Sequence, residues 1–396
     1  MYVCSIGKAK VRKQSGLAVI TQHQIPSLYI HIPFCISKCI YCDFNSIVTK
    51  SQMVDEYLTA IEQELQSATG RHSFGTVFIG GGTPTVVNEI QLDRLLNMIA
   101  KHVDVHNLKE YTIEVNPGTL SDEKTIIMKN SHVDRISIGI QSFNDRYLKL
   151  LGRIHSANEA KDIYFNLREK GFKNISIDLI YGYPAQAINE WKKDLRECCK
   201  LDPEHISAYC LTYEQGTPIV EMTDSGTLKK LNEEEELKMY EFTNDFLCDN
   251  DYNHYEISNF AKRGKECLHN TVYWENREYI GIGAGAFSYV NGERYCNIKS
   301  VKEYISSSRS KKRLIYFSEK LPQKQRASEI LIMALRMTSG ISKKEFAQRS
   351  GFDLNELFEK QLNNLTQAGL INFDDERVML TRKGLSVADS VMMEFV

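Results

Sequence analysis

Between residues 28 and 212 the chain alternates short β-type runs with helical patterns, and few architectures accept that order. The runs are LYIHI (28–32), TVFI (76–79), EYTIEV (110–115), RISIGI (135–140), NISIDLIY (174–181) and HISAYCLT (205–212). Val54, Leu58, Ile61 and Leu65 recur at helical spacing after the first run, and LDRLLNMIAKHV follows the second. Strands alternating with helices at this interval predict βαβ units and a parallel sheet. The class is α/β, and six units predict a partial (β/α)6 TIM-like barrel over 27–220. Periodicity alone also admits an open doubly wound sheet.

The flanks read differently. Residues 1–26 are basic and lack acids, with no apolar core of the kind a secretory signal carries. They are expected to be a disordered extension, with an organellar transit peptide as the other reading. Residues 221–319 read as a linker helix followed by an aromatic-rich, irregular region. In 320–396 helices precede GLINFDDERVMLT, a hairpin pattern around Asp374–Asp375, and a last helix follows, an order that predicts a winged-helix-like module. Eleven basic against ten acidic residues there argue against a surface that tracks phosphates. The whole chain is equally balanced, with 49 basic and 51 acidic side chains, so no nucleic-acid partner is expected. No segment has the length and apolarity of a membrane span.

Three of the ten cysteines crowd into His31-Ile-Pro-Phe-Cys35-Ile-Ser-Lys-Cys39-Ile-Tyr-Cys42, while the others are scattered. That placement speaks against a disulfide scaffold and for a reducing compartment, the cytoplasm. Three close thiolates suit a [4Fe–4S] cluster that leaves one iron without a protein ligand. By the logic of open catalytic metal positions, that iron can be chelated by an amino acid group, such as that of S-adenosylmethionine (SAM). With His31 four residues before Cys35, a Cys3His zinc site fits the spacing as well.

The remaining candidates follow the strands. Ligands of parallel barrels bind at the carboxyl ends of the strands. The cysteines follow the first run, and Gly80-Gly81-Gly82-Thr83-Pro84-Thr85 follows the second. Glu114 is near the end of the third, Gln141 ends the fourth, Asp178 lies within the fifth and Tyr209 in the sixth. Glycines let a backbone approach a ligand closely, although a tight βα turn explains them equally well. Glu114 can pair with an ammonium or a ribose hydroxyl, and Arg153 with a carboxylate through its fork.

YIHIPFCISKCIYCDF, FIGGGTPT, EVNP, GIQSF, LGRIHS and DLIYGYP, together with ASEILIMALRMTSGIS near the C-terminus, resemble the radical-SAM oxygen-independent coproporphyrinogen oxidases and the related HemW heme chaperones. The resemblance runs in order from about residue 28 to the last module. It implies a [4Fe–4S] cluster on Cys35, Cys39 and Cys42, and a SAM site lined by Tyr29, Tyr41, Gly82, Thr83, Glu114, Gln141, Arg153 and Asp178.

Two features sort the branches. The dehydrogenase branch carries a fourth cysteine two residues past the third, where this chain has Phe44. The chaperone branch carries HNxxYW, matched by His269-Asn270-Thr271-Val272-Tyr273-Trp274. YIGIGAGAFSY resembles the glycine-rich continuation, with Phe287 where a histidine usually precedes the serine. The resemblance implies a heme chaperone that passes heme to respiratory hemoproteins, with His269 as an expected heme ligand. A core histidine is the competing reading of His269. The alternative function is radical-SAM oxidative decarboxylation of coproporphyrinogen III. A homodimer and a peripheral membrane contact through the heme acceptor are compatible with the resemblance.

Overall fold

The computed structural model describes residues 27–48, 51–69, 73–312 and 314–396. The expected N-terminal extension, 1–26, lies outside the described residues. The six predicted runs form parallel strands β1 (Ser27–Ile32), β2 (Thr76–Gly81), β3 (Glu110–Val115), β4 (Arg135–Gln141), β5 (Ile175–Tyr181) and β6 (His205–Cys210), adjacent in chain order. Between them run α1 (Ser51–Thr69), α2 (Glu89–His102), α3 (Asp122–Asn130), α4 (Asp145–Leu151), α5 (Ala157–Glu169) and α6 (Ile188–Leu201). Local chemistry starts these helices: Asn88 with Gln91, and Ser156 with Glu159, close reciprocal capping boxes at α2 and α5.

Each strand sorts its side chains by the two-residue period of a β-strand. Leu28, Ile30 and Ile32 of β1, Val77 and Ile79 of β2, Ile113 of β3, Ile136 and Ile138 of β4, and Ile175 and Ile177 of β5 all join the core beneath the helices. Burying each such side chain stabilises the fold by about 1.5–3 kcal/mol. The alternate positions carry Tyr29, His31, Glu110, Glu114, Arg135, Ser137, Asp178, His205 and Tyr209, so the opposite face of the sheet is polar. A partial barrel built this way has a greasy jacket and a lumen suited to a polar ligand.

Residues 221–319, expected as a linker and an irregular region, supply much of the same sheet. They contribute β7 (Asn253–Glu256), β8 (Asn259–Ala261), β9 (Tyr279–Ile282), β10 (Phe287–Val290), β11 (Glu293–Asn297) and β12 (Ile315–Lys320). The sheet order is β12-β11-β10-β9-β1-β2-β3-β4-β5-β6-β8-β7. Strand β9 pairs parallel to β1, Leu28 opposite Ile280, so a seventh parallel strand flanks the first.

The last module has its own core, including Ile330, Leu331, Phe346, Leu362 and Val378. Helix Gln323–Ala334, β13 (Ile341–Ser342), helices Lys343–Ser350 and Leu354–Gln367, then β14 (Ile371–Phe373) and β15 (Arg377–Leu380) follow the winged-helix order. The hairpin turns at Asp374, whose Oδ1 accepts from the N–H groups of Glu376 and Arg377 at 2.8 Å each. Two short helices, Arg382–Ser386 and Ala388–Met393, replace the single last helix that was expected. The module docks on β7: Ile257 N–H donates to Arg336 C=O at 3.1 Å, Thr338 N–H to Tyr255 C=O at 3.1 Å, and Glu256 bridges Met337. No helix among the described residues is long and apolar enough to cross a membrane.

Candidate cluster and ligand site

The three cysteines lie just past the carboxyl end of β1, each half-buried and unpaired by any disulfide. Their loop is braced by its neighbours. Ile40 N–H donates to Leu151 C=O at 3.2 Å, Cys42 N–H to Cys39 C=O at 3.2 Å, and Ile219 N–H to Ile40 C=O at 3.0 Å. Burial raises the Cys35 and Cys42 thiols; Cys39 adds to the rise at both, and Cys35 to that at Cys42.

The glycine run after β2 lies alongside. Gly82 N–H donates to Ile32 C=O at 2.9 Å and Thr83 N–H to Phe34 C=O at 2.8 Å. A Cβ on Gly82 would stand 2.7 Å from the Phe34 oxygen and 2.9 Å from Cys35 Sγ. Glycine is therefore required by the close approach to the first thiol. Thr83 Oγ1 is 3.8 Å from the same sulfur. Gly81, at φ +119°, directs its N–H to Glu114 Oε2 at 3.1 Å.

The other carried-over residues gather on the same rim. Arg153 Nη2 donates to Gly139 C=O at 2.7 Å and Nη1 lies 3.6 Å from Cys39 Sγ. Burial opposes the Arg153 charge, but Tyr41 and Cys39 outweigh it and hold the guanidinium above its usual range. Burial raises the Tyr41 phenol, against the pull of Arg153. Gln141 takes φ +71° at a register shift between β4 and β5, an uncommon backbone for a non-glycine residue that re-aims the end of the strand. Deeper in the lumen, burial and then the nearby Asp178 push Glu114 up to about 8. Burial also raises Asp178, which accepts from Ser137 Oγ at 3.0 Å. Tyr29 OH reaches His31 Nδ1 at 3.0 Å.

The donor set fits an iron–sulfur cluster better than zinc. Both ring nitrogens of His31 are committed, Nδ1 to Tyr29 and Nε2 to Asn45 C=O at 2.8 Å, so the histidine of a Cys3His site is unavailable. Among the described residues no three His, Cys, Asp or Glu side chains converge tightly enough for a single ion. A cleft lined by Cys39, Thr83, Asn116, Thr119 and Arg153 opens beside the thiols. Asn116 Oδ1 and Arg153 Nε are buried without a hydrogen-bond partner, an acceptor and a donor left open for a polar ligand.

His269 stands elsewhere and does something else. It opens the short helix Leu268–Trp274, whose first N–H groups at Leu268 and His269 donate to the Glu110 carboxylate at 2.9 and 3.0 Å. The ring is 1% exposed, with Nδ1 2.7 Å from Thr76 Oγ1 and Nε2 2.8 Å from Tyr273 OH. Burial lowers its pKa to about 3 and keeps it neutral. Both nitrogens of His269 are thus engaged and the ring packs against Phe78 and Tyr29, an environment that suits the core-histidine reading of this residue.

Sequence reasoning missed Asn45, Tyr57 and Glu64. Glu64 Oε2 accepts from Gly283 N–H at 2.9 Å and Tyr304 OH at 2.5 Å, and Oε1 accepts from Asn297 Nδ2 at 2.6 Å. The only signal in the sequence was the glycine spacing of YIGIGAGAFSY.

Residues 29–198 match the Radical SAM superfamily, and residues 321–387 match the HemN C-terminal domain. The heme chaperone HemW of Lactococcus lactis is 38% identical over 370 residues, 93% of this chain and 97% of its own length. The heme chaperone HemW of Bacillus subtilis is 39% identical over 374 residues, covering 93% of this chain and 99% of the relative. The solved structure of coproporphyrinogen III oxidase (HemN) from Escherichia coli has a TM-score of 0.81 at 24% identity, covering 94% of this chain and 90% of that one. That last likeness speaks for the fold alone.

Proposed function

We propose, on the premise that this chain belongs to the radical SAM superfamily and within it to the HemW family, that it binds heme and passes it to respiratory hemoproteins. Cys35, Cys39 and Cys42 would hold a [4Fe–4S] cluster. When bound, that cluster presents one iron without a protein ligand to the amino and carboxylate ends of SAM and can supply a single electron. Thr83 and Gly82 close one side of the site, Arg153 and Tyr41 the other. Glu114 and Asp178 would meet the hydroxyl-bearing part of SAM. Burial raises both carboxyls, which favours hydrogen bonding over bare charge in the lumen.

The observation that carries the choice of branch is Phe44. It stands two residues past Cys42, 46% exposed, where coproporphyrinogen dehydrogenases carry a further thiol. His269 is the family's expected heme ligand, and its two ring nitrogens, bonded to Thr76 and Tyr273, would have to give up one partner to bind iron. The protein acts in a reducing compartment, the cytoplasm, and no helix among its described residues is long and apolar enough to cross a membrane.

One anaerobic experiment tests the reading. Protein reconstituted with iron and sulfide is given SAM, a reductant and coproporphyrinogen III, and separately titrated with heme. Stable heme binding without protoporphyrinogen is expected, and steady turnover would instead favour the decarboxylase. Iron-free, sulfide-free protein after reconstitution would defeat the cofactor assignment.

A further inference from the structure

Asn45, three residues past Cys42, closes the cysteine loop at its base. Its carbonyl accepts from His31 Nε2 at 2.8 Å, so one hydrogen bond joins the residues that flank the three thiols. Its side-chain amide reaches in the other direction, donating to Ala284 C=O at 2.9 Å and to Lys299 C=O at 3.0 Å. Those carbonyls lie just beyond the ends of β9 and β11, far away in the chain. Tyr57 of α1 adds a second tie: its hydroxyl donates to His31 C=O at 2.8 Å and accepts from Ala284 N–H at 2.9 Å.

The glycines of Gly281-Ile-Gly283-Ala-Gly285 are shaped to admit these groups. Gly285 lies at φ +76°, and a Cβ there would stand 2.6 Å from Asn45 Nδ2. Gly283 lies at φ +105°, and a Cβ there would stand 2.6 Å from the Tyr57 hydroxyl oxygen and 2.7 Å from the His31 carbonyl oxygen. Both positions demand glycine twice over, for backbone conformation and for space. A primary amide suits the remaining gap, because two carbonyl oxygens face it and its two N–H groups can serve both.

We propose that Asn45, seated on Gly283 and Gly285, is a positioning residue that latches the cysteine loop so that its three thiolates stay in cluster-binding geometry. The proposal rests on the cluster reading given above. A loop fixed at one end only would let Cys42 wander, and residues that orient metal ligands from behind are worth roughly ten- to a hundredfold in metal affinity. The latch also joins the cluster loop to the strand block 279–297.

The test compares wild type with Asn45→Ala, Asn45→Asp, Gly285→Ala and the Asn45→Ala/Gly285→Ala double variant, each reconstituted anaerobically with ferrous iron and sulfide. Readouts are iron and sulfide per chain, the EPR spectrum of the reduced cluster with and without SAM, and the rate at which a chelator bleaches it. The melting temperature of each cluster-free protein is the control for folding. Asn45→Ala and Asn45→Asp should lose the cluster roughly ten to a hundred times faster, with an altered EPR line shape and cluster-free melting close to wild type. In the double variant the added methyl finds the space vacated by the amide, so bleaching should be slower than the two single effects multiplied. Unchanged bleaching and EPR would overturn the latch, as would cluster-free melting that falls in parallel with cluster loss. A wild type that takes up no iron or sulfide would sink the cluster reading itself, which the variants alone could not show.

Discussion

Arg153 Nη1 lies 3.6 Å from the sulfur of Cys39, while the other arm of the same guanidinium is held by the Gly139 carbonyl. The loop after α4 and the loop after β1 therefore share a single cation, and the buried Nε is still without a partner. A lysine in this place would keep the charge and lose the fork. Arg153→Lys is expected to weaken SAM binding about tenfold, near 1.4 kcal/mol, with iron content close to wild type. Equilibrium dialysis against labelled SAM, beside an iron assay, checks both halves.

Gly82 predicts the opposite split. An added methyl would press on the Phe34 carbonyl, which is backbone and cannot swing away, and on the Cys35 thiol. Gly82→Ala should cut reconstituted iron and sulfide severalfold while the far-UV circular dichroism remains that of the wild type.

The pH dependence of stability should carry the mark of Glu64. Burial pushes its carboxyl up to about 7, against the hydrogen bonds from Tyr304, Gly283 and Asn297. The folded state thus holds this proton more tightly than the unfolded chain does. Its contribution is fully present below the ordinary carboxyl range near 4.5, is lost as pH rises toward 7, and is level above that. The size is on the order of 3 kcal/mol. Urea denaturation at pH 5 and pH 8 should show the loss. Glu64→Gln, which resembles the protonated acid and cannot titrate, should flatten the slope between the two pH values.

His269→Ala separates the core role from the ligand role. The substitution strands the Tyr273 hydroxyl, leaves Thr76 Oγ1 with Ser27 as its one remaining partner, and opens a cavity under the barrel. A loss of about 2–4 kcal/mol is expected. Heme titration of the folded variant should match wild type. A large drop in heme affinity at unchanged stability would restore the histidine to the ligand role.

The parallel strands were legible because their apolar residues alternate with polar ones at period two and each run is short. The polar alternates Glu114, Asp178 and Tyr209 were legible for the same reason, since a lumen face cannot be hidden in an otherwise apolar strand. Strand β9 was not. Its four residues, Tyr-Ile-Gly-Ile, run into Gly283, and a run that short beside glycines reads as a loop. Its strand character comes from pairing with β1, a contact between residues some 250 positions apart in sequence.

The cysteines were legible through spacing, but what steadies them was not. Asn45 is one polar residue in an ordinary loop, and its partners at Ala284 and Lys299 are backbone atoms that any sequence could supply. The surroundings of His269 were hidden for a related reason. Sequence shows that an imidazole is present, yet only the folded chain reveals that Thr76 and Tyr273 already occupy its two nitrogens.

Strand β7 would be a bare rim of the main sheet were it not for residues 336–338, which pair along it. Exposed strand rims recruit other chains. The C-terminal module therefore does the work of a bumper: a shortened protein ending before residue 321 would still own every strand of the main sheet, yet it would stick to its copies. Engineering that swaps or trims this module has to put something else along Tyr255 and Ile257.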